Sequence, residues 1–494
     1  MLKPALLLIA GRILGFTAAF LTPLVLVRLF DLHTFGTYKQ WFLLYITLLA
    51  VTQIGMSESL LYFLPRAGGE AGRYVMNSLL TLAGVGAAVG LWLTLHAEAV
   101  GAWMNNPELT PLIPLLGVYL LLMQASIGLE TVMTARSSYR SAALAYAATD
   151  LCRAAFLILP LLWIPSLQAL LYGAIGFASL RLIAAWRYFR REFGSDLRPD
   201  AACLKAQLAY ALPFGLAVVA TIAQENLHQY AVSGRYDAAT FALYSVGCMQ
   251  VPLVDMIGTT VCNVMMVGMT GSLKEGRQAA VVDLWHQTIR KLSLAFFPLT
   301  CLLWISARDV IIMLFTEQYL PSVPVFQVGV TAIIFAVLPM DALLRVYAHT
   351  RLLLVINLLR LGFIVGSISW AMASFGLVGA AAVTVIALAA GKMGGVLAAS
   401  SLWQVGLTEL LPWRWLARIG VTAMAAALPA LVLTSQLPAM PSVRLLAAGL
   451  SYTVTYVGLV FRFGLLTSQE RRTLLQQLSR LQFVLPPRYQ HKLS

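Results

Sequence analysis

The chain has 494 residues, of which 60% are hydrophobic and only 11% charged, with a mean hydropathy of +0.81. Soluble domains carry about a quarter charged residues, so composition excludes a soluble enzyme or binding module. The net charge of +14 would point to nucleic acid in a soluble protein, but here the basic residues are sorted by membrane side, and no nucleic-acid partner is called for.

Crossing a hydrocarbon core of about 30 Å takes about 20 apolar residues. Fourteen such stretches are expected along the chain: Ala5 to Val27, Gln40 to Leu64, Val75 to Leu95, Leu112 to Thr134, Ala142 to Trp163, Leu167 to Trp186, Gln207 to Val232, Phe241 to Met266, Leu292 to Ile305, Val325 to Val346, Leu352 to Ala373, Leu377 to Leu397, Trp415 to Leu433 and Leu445 to Leu465. The first is too long for the apolar region of a secretory signal and is followed by further spans, so it reads as a retained helix. The fold class is therefore all-α and polytopic.

Most of the 34 Lys and Arg fall on one side if the N-terminus is cytoplasmic, the loop with Arg187, Arg190, Arg191, Arg198 and Lys205 being the densest. Only Arg28, Lys39, Arg235, Arg308 and Arg444 fall on the other side. By the positive-inside rule both termini are expected in the cytoplasm. The five cysteines are scattered and fit neither a disulfide framework nor a zinc spacing.

One phrase occurs twice: Asp31-Leu32-His33-Thr34-Phe35-Gly36-Thr37-Tyr38 and Asp237-Ala238-Ala239-Thr240-Phe241-Ala242-Leu243-Tyr244 keep Asp, Thr, Phe and Tyr in register. Asp150 and Arg153 align with Asn357 and Arg360 at a similar offset, and Pro111 and Pro114 with Pro321 and Pro324. A duplicated membrane bundle is the usual build of a secondary transporter. The expected organisation is two pseudo-symmetric six-helix lobes, residues 1–206 and 207–400, related as parallel repeats. Two further helices over 401–466 and a tail over 467–494 follow. In that tail Leu474, Leu478, Leu481 and Leu485 recur at helical spacing opposite a basic face, as in a helix lying on an anionic leaflet.

A charge at the centre of a membrane helix costs about 2.5 to 3.5 kcal/mol on insertion scales, which makes each one a functional candidate. Arg12 is expected to line a substrate cavity or to pair with Glu58. Arg153 has Asp150 three residues before it to neutralise it, whereas Arg360 has only Asn357. Gln224, Glu225, Asn226, His228 and Gln229 put polar groups on several faces of the seventh span, which fits a cavity mouth or outer gate. Asp255, Thr259 and Asn263 form one polar stripe, with Asp255 an ion or proton site or an interhelical hydrogen-bond partner; Glu225 is a second ion-coupling candidate. Arg181 and Lys392 are placed to snorkel, and Glu130, Asp341 and Arg345 read as solvated gate or loop residues. There is no phosphate-binding glycine loop, catalytic triad spacing or paired CxxC, so no cofactor and no metal are expected.

The stretches Arg28-Leu29-Phe30-Asp31 through Tyr38, Gln53-Ile54-Gly55-Met56-Ser57, and Gly234-Arg235-Tyr236-Asp237 through Tyr244-Ser245-Val246-Gly247, with the helix count and the break after the sixth span, resemble the polysaccharide transporter family. These are the O-antigen and exopolysaccharide flippases of the multidrug/oligosaccharidyl-lipid/polysaccharide exporter superfamily. The resemblance implies two lobes around a central cavity, a polyprenyl-diphosphate-linked oligosaccharide as substrate, and Arg12 as a contact for its diphosphate. It further implies a monomer, with polysaccharide polymerase and chain-length machinery as partners. An ion-coupled drug or cation exporter of the related multidrug extrusion type is the nearest alternative. A membrane-embedded glycan polymerase or ligase is another, but it would want a long outer loop rich in acids or His, and the sequence has none.

Overall fold

The computed structural model describes residues 20–437 and 440–466; Arg12 and the tail over 467–494 lie outside the described residues. Described residues are helical or in turns, with no strand among them. In chain order the helices are α1 (Phe20–Leu29), α2 (Leu32–Thr52), α3 (Met56–Phe63), α4 (Ala71–Leu95), α5 (Ala97–Trp103), α6 (Ile113–Ser126), α7 (Leu129–Ala135), α8 (Tyr139–Ile158), α9 (Leu167–Phe193) and α10 (Ala201–Arg235). They continue as α11 (Ala238–Gly247), α12 (Pro252–Lys274), α13 (Gln278–Ile305), α14 (Ala307–Phe315), α15 (Val323–Ala336), α16 (Met340–Val346), α17 (Thr350–Trp403), α18 (Leu407–Leu410), α19 (Trp413–Gln436) and α20 (Pro441–Arg462).

The expected count of fourteen spans is not reached. Among the described residues 11 helices are long and apolar enough to cross a membrane, or 12 if one bent pair is a single span. Two spans account for the step from fourteen to 12, and the bent second span for the step from 12 to 11. Most of the first span lies outside the described residues, leaving the short α1. The eighth span keeps its place in the count as α12, which starts at Pro252 after the short α11 ends at Gly247. The eleventh and twelfth spans count as one within α17 but are two helices that meet at Gly376, which takes φ +61 and ψ −139, a conformation that glycine reaches without strain.

The second span is bent by 42° between α2 and α3, where Ile54 and Gly55 have φ of +50 and +71. Gly55 is required twice over: it takes the left-handed conformation, and a Cβ there would come within 2.7 Å of the Ala211 carbonyl oxygen of α10. Gly215 of α10 returns the contact, since a Cβ there would meet the Ile54 backbone at 2.6 Å.

The repeated phrase does the same local work twice. Asp31 caps α2 by accepting from Thr34 N at 2.9 Å, and Asp237 caps α11 by accepting from Thr240 N at 3.1 Å. Phe35 and Phe241 are both fully buried. Similar pairs recur downstream: a 3-10 turn containing Pro111 leads into α6 and one containing Pro321 leads into α15, 14 residues each, and α7 and α16 have seven residues each.

The chain divides into two compact units. The first comprises Met1–Met249, Leu314–Gly329 and Leu354–Gly391; the second comprises Gln250–Met313, Val330–Leu353 and Lys392–Ser494. Within the first, α4 lies along α6 through Gly90 and Gly117, where a Cβ on Gly90 would approach the Gly117 carbonyl oxygen at 3.0 Å. Buried amides join its helices: Gln40 donates to Met104 O and to Ser233 Oγ, both at 2.9 Å, and Asn106 donates to Gln40 Oε1 at 2.6 Å. Such groups have no water partner in a bilayer and must be satisfied by protein. Within the second unit, Ile419, Ala423, Ala426 and Ala430 of α19 make a small-residue face for α20, whose Tyr452 donates to Ala423 O at 3.0 Å.

Two ion pairs join residues read as snorkelling or solvated groups; Arg181, Glu130 and Lys392 differ from that reading, while Asp341 is exposed as expected. Arg181 and Glu130 are both buried, with Nη2 and Oε2 at 2.7 Å, and Arg181 also donates to Ser126 Oγ at 3.2 Å. Lys392 is only 14% exposed and lies 2.8 Å from Asp341. Spacing along one helix does not reveal either pair, because the partners come from distant helices.

Candidate functional site

In the second unit the polar stripe of α12 faces a cavity of about 340 Å3. Asp255, Thr259, Cys262 and Asn263 come from α12, Pro339 caps α16, Asp341 and Arg345 come from α16, and Lys392 comes from α17. The residues at 255, 259 and 263 share one helix face because four residues make slightly more than one turn, so the stripe is about 12 Å long at 1.5 Å rise per residue. Pro252 opens the helix at a position where its missing N–H costs nothing.

The cavity contains two acids, Asp255 and Asp341, and two cations, Arg345 and Lys392. Lys392 and Asp341 are bonded to one another. Neither Asp255 nor Arg345 forms an ion pair among the described residues. The arrangement therefore offers an acceptor carboxylate, a hydroxyl and an amide in turn along α12, and a guanidinium donor fork from α16: a set suited to a polyhydroxylated or anionic ligand rather than to a bare apolar one. No group of three or more metal-ligating side chains occurs among the described residues.

The other candidates fall in the first unit. Gln224 donates to Asn357 O at 3.2 Å, Asn226 donates to Thr47 Oγ1 at 2.9 Å, and His228 Nδ1 is 2.7 Å from the Tyr244 hydroxyl. The polar end of α10 is thus brought against α17, α2 and α11 respectively, while Glu225 is exposed. Arg360 donates to Asn357 Oδ1 at 3.4 Å, so Gln224 and Arg360 meet the same residue. The Arg360 stem fills the space left by Gly391, where a Cβ would overlap Cδ. Arg153 pairs with Asp150 at 2.8 Å. Glu58 sits in the first turn of α3 with its Oε2 buried and without a hydrogen-bond partner among the described residues; Arg12 lies outside them.

The sequence reading missed two features. One is Lys392 as a cavity residue, because its partner Asp341 is 51 positions away. The other is an aromatic cluster of Tyr38, Trp41, Tyr45 and Tyr119, with Tyr45 and Tyr119 rings 4.7 Å apart. Its signal was present in the spacing of Tyr38, Trp41 and Tyr45 along one face of α2.

Solved structures share this fold. The lipid II flippase MurJ in an inward closed conformation superposes with a TM-score of 0.69 at 11% identity, covering 94% of this chain and 100% of that one. A multidrug resistance MATE family transporter of the MOP superfamily, inward-facing, gives 0.57 at 12%, covering 81% and 99%. A MOP superfamily transporter from Pyrococcus furiosus gives 0.54 at 13%, covering 83% and 96%. No curated protein matches the sequence. The family model described as "Polysaccharide biosynthesis protein" matches residues 25–324, and the chain, a multi-pass membrane protein with the fold of the MOP transporters, belongs to that polysaccharide biosynthesis family.

Proposed function

We propose that this protein is a flippase that carries a polyprenyl-diphosphate-linked oligosaccharide from the cytoplasmic to the periplasmic leaflet of the bacterial inner membrane, in O-antigen or exopolysaccharide biosynthesis. The observation that carries the reading is the α12 cavity, in a member of a polysaccharide biosynthesis family. Its 340 Å3 is within the range of about 300 to 1,000 Å3 usual for ligand sites. Asp255, Thr259 and Asn263 supply the partners that sugar hydroxyls need, and Arg345 supplies a planar donor fork for a phosphate oxygen. Sites of this kind are costly to keep inside a bilayer, and a glycan offsets that cost by satisfying them.

Transport proceeds by alternating access, with the lobes over 1–206 and 207–400 moving as parallel repeats and both termini in the cytoplasm. Arg12, Glu58, Arg153, Arg360, Gln224, Asn226 and His228 form the remaining substrate-contact set, and Asp255 and Glu225 are each a candidate for ion coupling. The protein is a carrier and not an enzyme; lipid-linked oligosaccharide is its partner, and the polymerase and chain-length machinery act after it. Reconstitution into liposomes with a fluorescent polyprenyl-diphosphate oligosaccharide tests this. Wild type should translocate the lipid and Arg345→Gln should do so at least tenfold more slowly; equal movement in protein-free vesicles would end the proposal.

A further inference from the structure

The first unit holds a second cavity, of about 140 Å3, lined by residues of α1, α2, α6, α8 and α9. Lys39 and Arg153 line it together with Tyr38, Trp41 and Tyr119. The sequence placed Lys39 in an outer loop. In the structure it is the eighth residue of α2, about 11 Å inside the helix at 1.5 Å rise per residue.

The charges here do not balance. Arg153 is matched by Asp150 at 2.8 Å. Lys39 has no carboxylate partner among the described residues; its Nζ stands 5.5 Å from the centroid of the Phe35 ring. Residues 1–19, which lie outside the described set, contain neither Asp nor Glu, so the chain's first segment cannot supply the missing charge. A cation-π contact moderates a buried ammonium but leaves its charge in place. Three charged groups thus sum to one positive charge beside four rings, three of which, Tyr38, Trp41 and Tyr119, are almost fully buried. Like charge excludes a metal ion or an organic cation, and an apolar occupant would leave the ammonium unanswered.

We propose that this cavity binds a single oxyanion group, either the carboxylate of an acidic sugar or the phosphate of an anionic lipid, with Lys39 and Arg153 as donors and the aromatic wall against the carbon skeleton that carries the group. Its volume equals about five waters at about 30 Å3 each, room for one such group with part of its ring and too little for a whole oligosaccharide. Tyr and Trp combine an apolar face with a polar edge, which suits the alternating C–H and hydroxyl surfaces of a pyranose. The sugar source rests on the flippase reading; the oxyanion chemistry does not.

The test uses full-length protein in nanodiscs of phosphatidylcholine alone, titrated with a glucuronate-containing disaccharide and with its neutral glucose counterpart. Wild type should bind the acidic sugar at least tenfold more tightly, Lys39→Met should abolish the preference, and Lys39→Arg should restore it. In parallel, nanodiscs containing phosphatidylglycerol are compared by thermal unfolding. If phosphatidylglycerol raises the midpoint of wild type and Lys39→Arg but not of Lys39→Met, without any acidic-sugar preference, the oxyanion site stands and its source is the lipid. Absence of both effects in wild type, or persistence of either in Lys39→Met, overturns the proposal. Failure of wild type to move any glycan lipid in liposomes would remove the flippase reading and leave this binding result intact.

Discussion

Gly36 lies against Ala238 so closely that a Cβ on Gly36 would overlap the Ala238 carbonyl group. These residues belong to the two copies of the repeated phrase, so the repeats of the sequence touch each other directly, α2 on α11, just past their Asp31 and Asp237 caps. The contact is backbone to backbone and no rotamer change relieves it.

Substituting Gly36→Ala therefore has a decidable sign. In an open helix position, Gly to Ala stabilises by up to about 1 kcal/mol; forcing a methyl into a packed contact costs about 1–3 kcal/mol. We expect Gly36→Ala to lower the thermal midpoint of detergent-purified protein. Gly84→Ala on α4, where a Cβ meets nothing within 4 Å, should leave it unchanged or raise it. An equal response of the two variants would show that α2 and α11 are not held at this distance.

The capping aspartates predict a pH response. The hydrogen bond from Thr34 holds the Asp31 carboxyl below its ordinary value of 3.8, and the bond from Thr240 does the same for Asp237. Asp200, which caps α10, is lowered chiefly by the bond from the Cys203 backbone N–H. Because each folded value lies below the unfolded one, the stabilisation is complete above about pH 4 and is lost as the pH falls through the lowered values. Asp31→Ala should cost about 1 kcal/mol near neutral pH and less as the pH falls below about 4. Asp31→Asn, which caps without a charge, should flatten this dependence. Melting curves from pH 7 to pH 3 read both outcomes.

Glu130 and Arg181 give the largest expected loss. The pair joins α7 to α9, with Thr149 of α8 donating to Glu130 at 3.0 Å and Ser126 of α6 receiving from Arg181. Removing one partner of a buried pair strands the other charge, at about 3–5 kcal/mol. Glu130→Ala should accordingly unfold at a markedly lower temperature. Glu130→Leu combined with Arg181→Met should lose less than either truncation alone. Additive losses in the double variant would mean that the two charges do not depend on each other.

Much of this architecture was legible in the sequence because bilayer physics writes it there: apolar runs set the helices, and the duplicated Asp-x-x-Thr-Phe phrase marked two equivalent helix starts. The break at Gln53-Ile54-Gly55 was less visible, since the run from Gln40 to Leu64 stays apolar across it and the bend depends on Ala211 and Gly215, more than 150 residues away. The same holds for the candidate site. Asp255, Thr259 and Asn263 could be placed on one face from their spacing alone. Arg345 and Lys392 could not be joined to them, because helix periodicity relates residues within one helix and is silent about which helices become neighbours. Lys39 was misplaced for a different reason: a lone lysine lowers local hydropathy enough to push the apparent span boundary past it, although α2 starts at Leu32.

Cys262 supplies a probe of the α12 cavity that needs no foreign residue. It lines the cavity beside Asn263 and is half-buried, while Cys203 is buried and Cys152 is exposed. With the other four cysteines replaced by serine, Cys262 should react with a maleimide in the folded protein, and the adduct should occupy much of the 340 Å3 cavity. We expect labelling to slow glycan-lipid translocation at least tenfold, and pre-incubation with the substrate to slow labelling by a similar factor. Arg345→Gln should weaken that protection without changing the labelling rate of the free protein, because the substitution alters the donor set and not access to the sulfur. Labelling that goes to completion with translocation undiminished would place the substrate path elsewhere in the bundle.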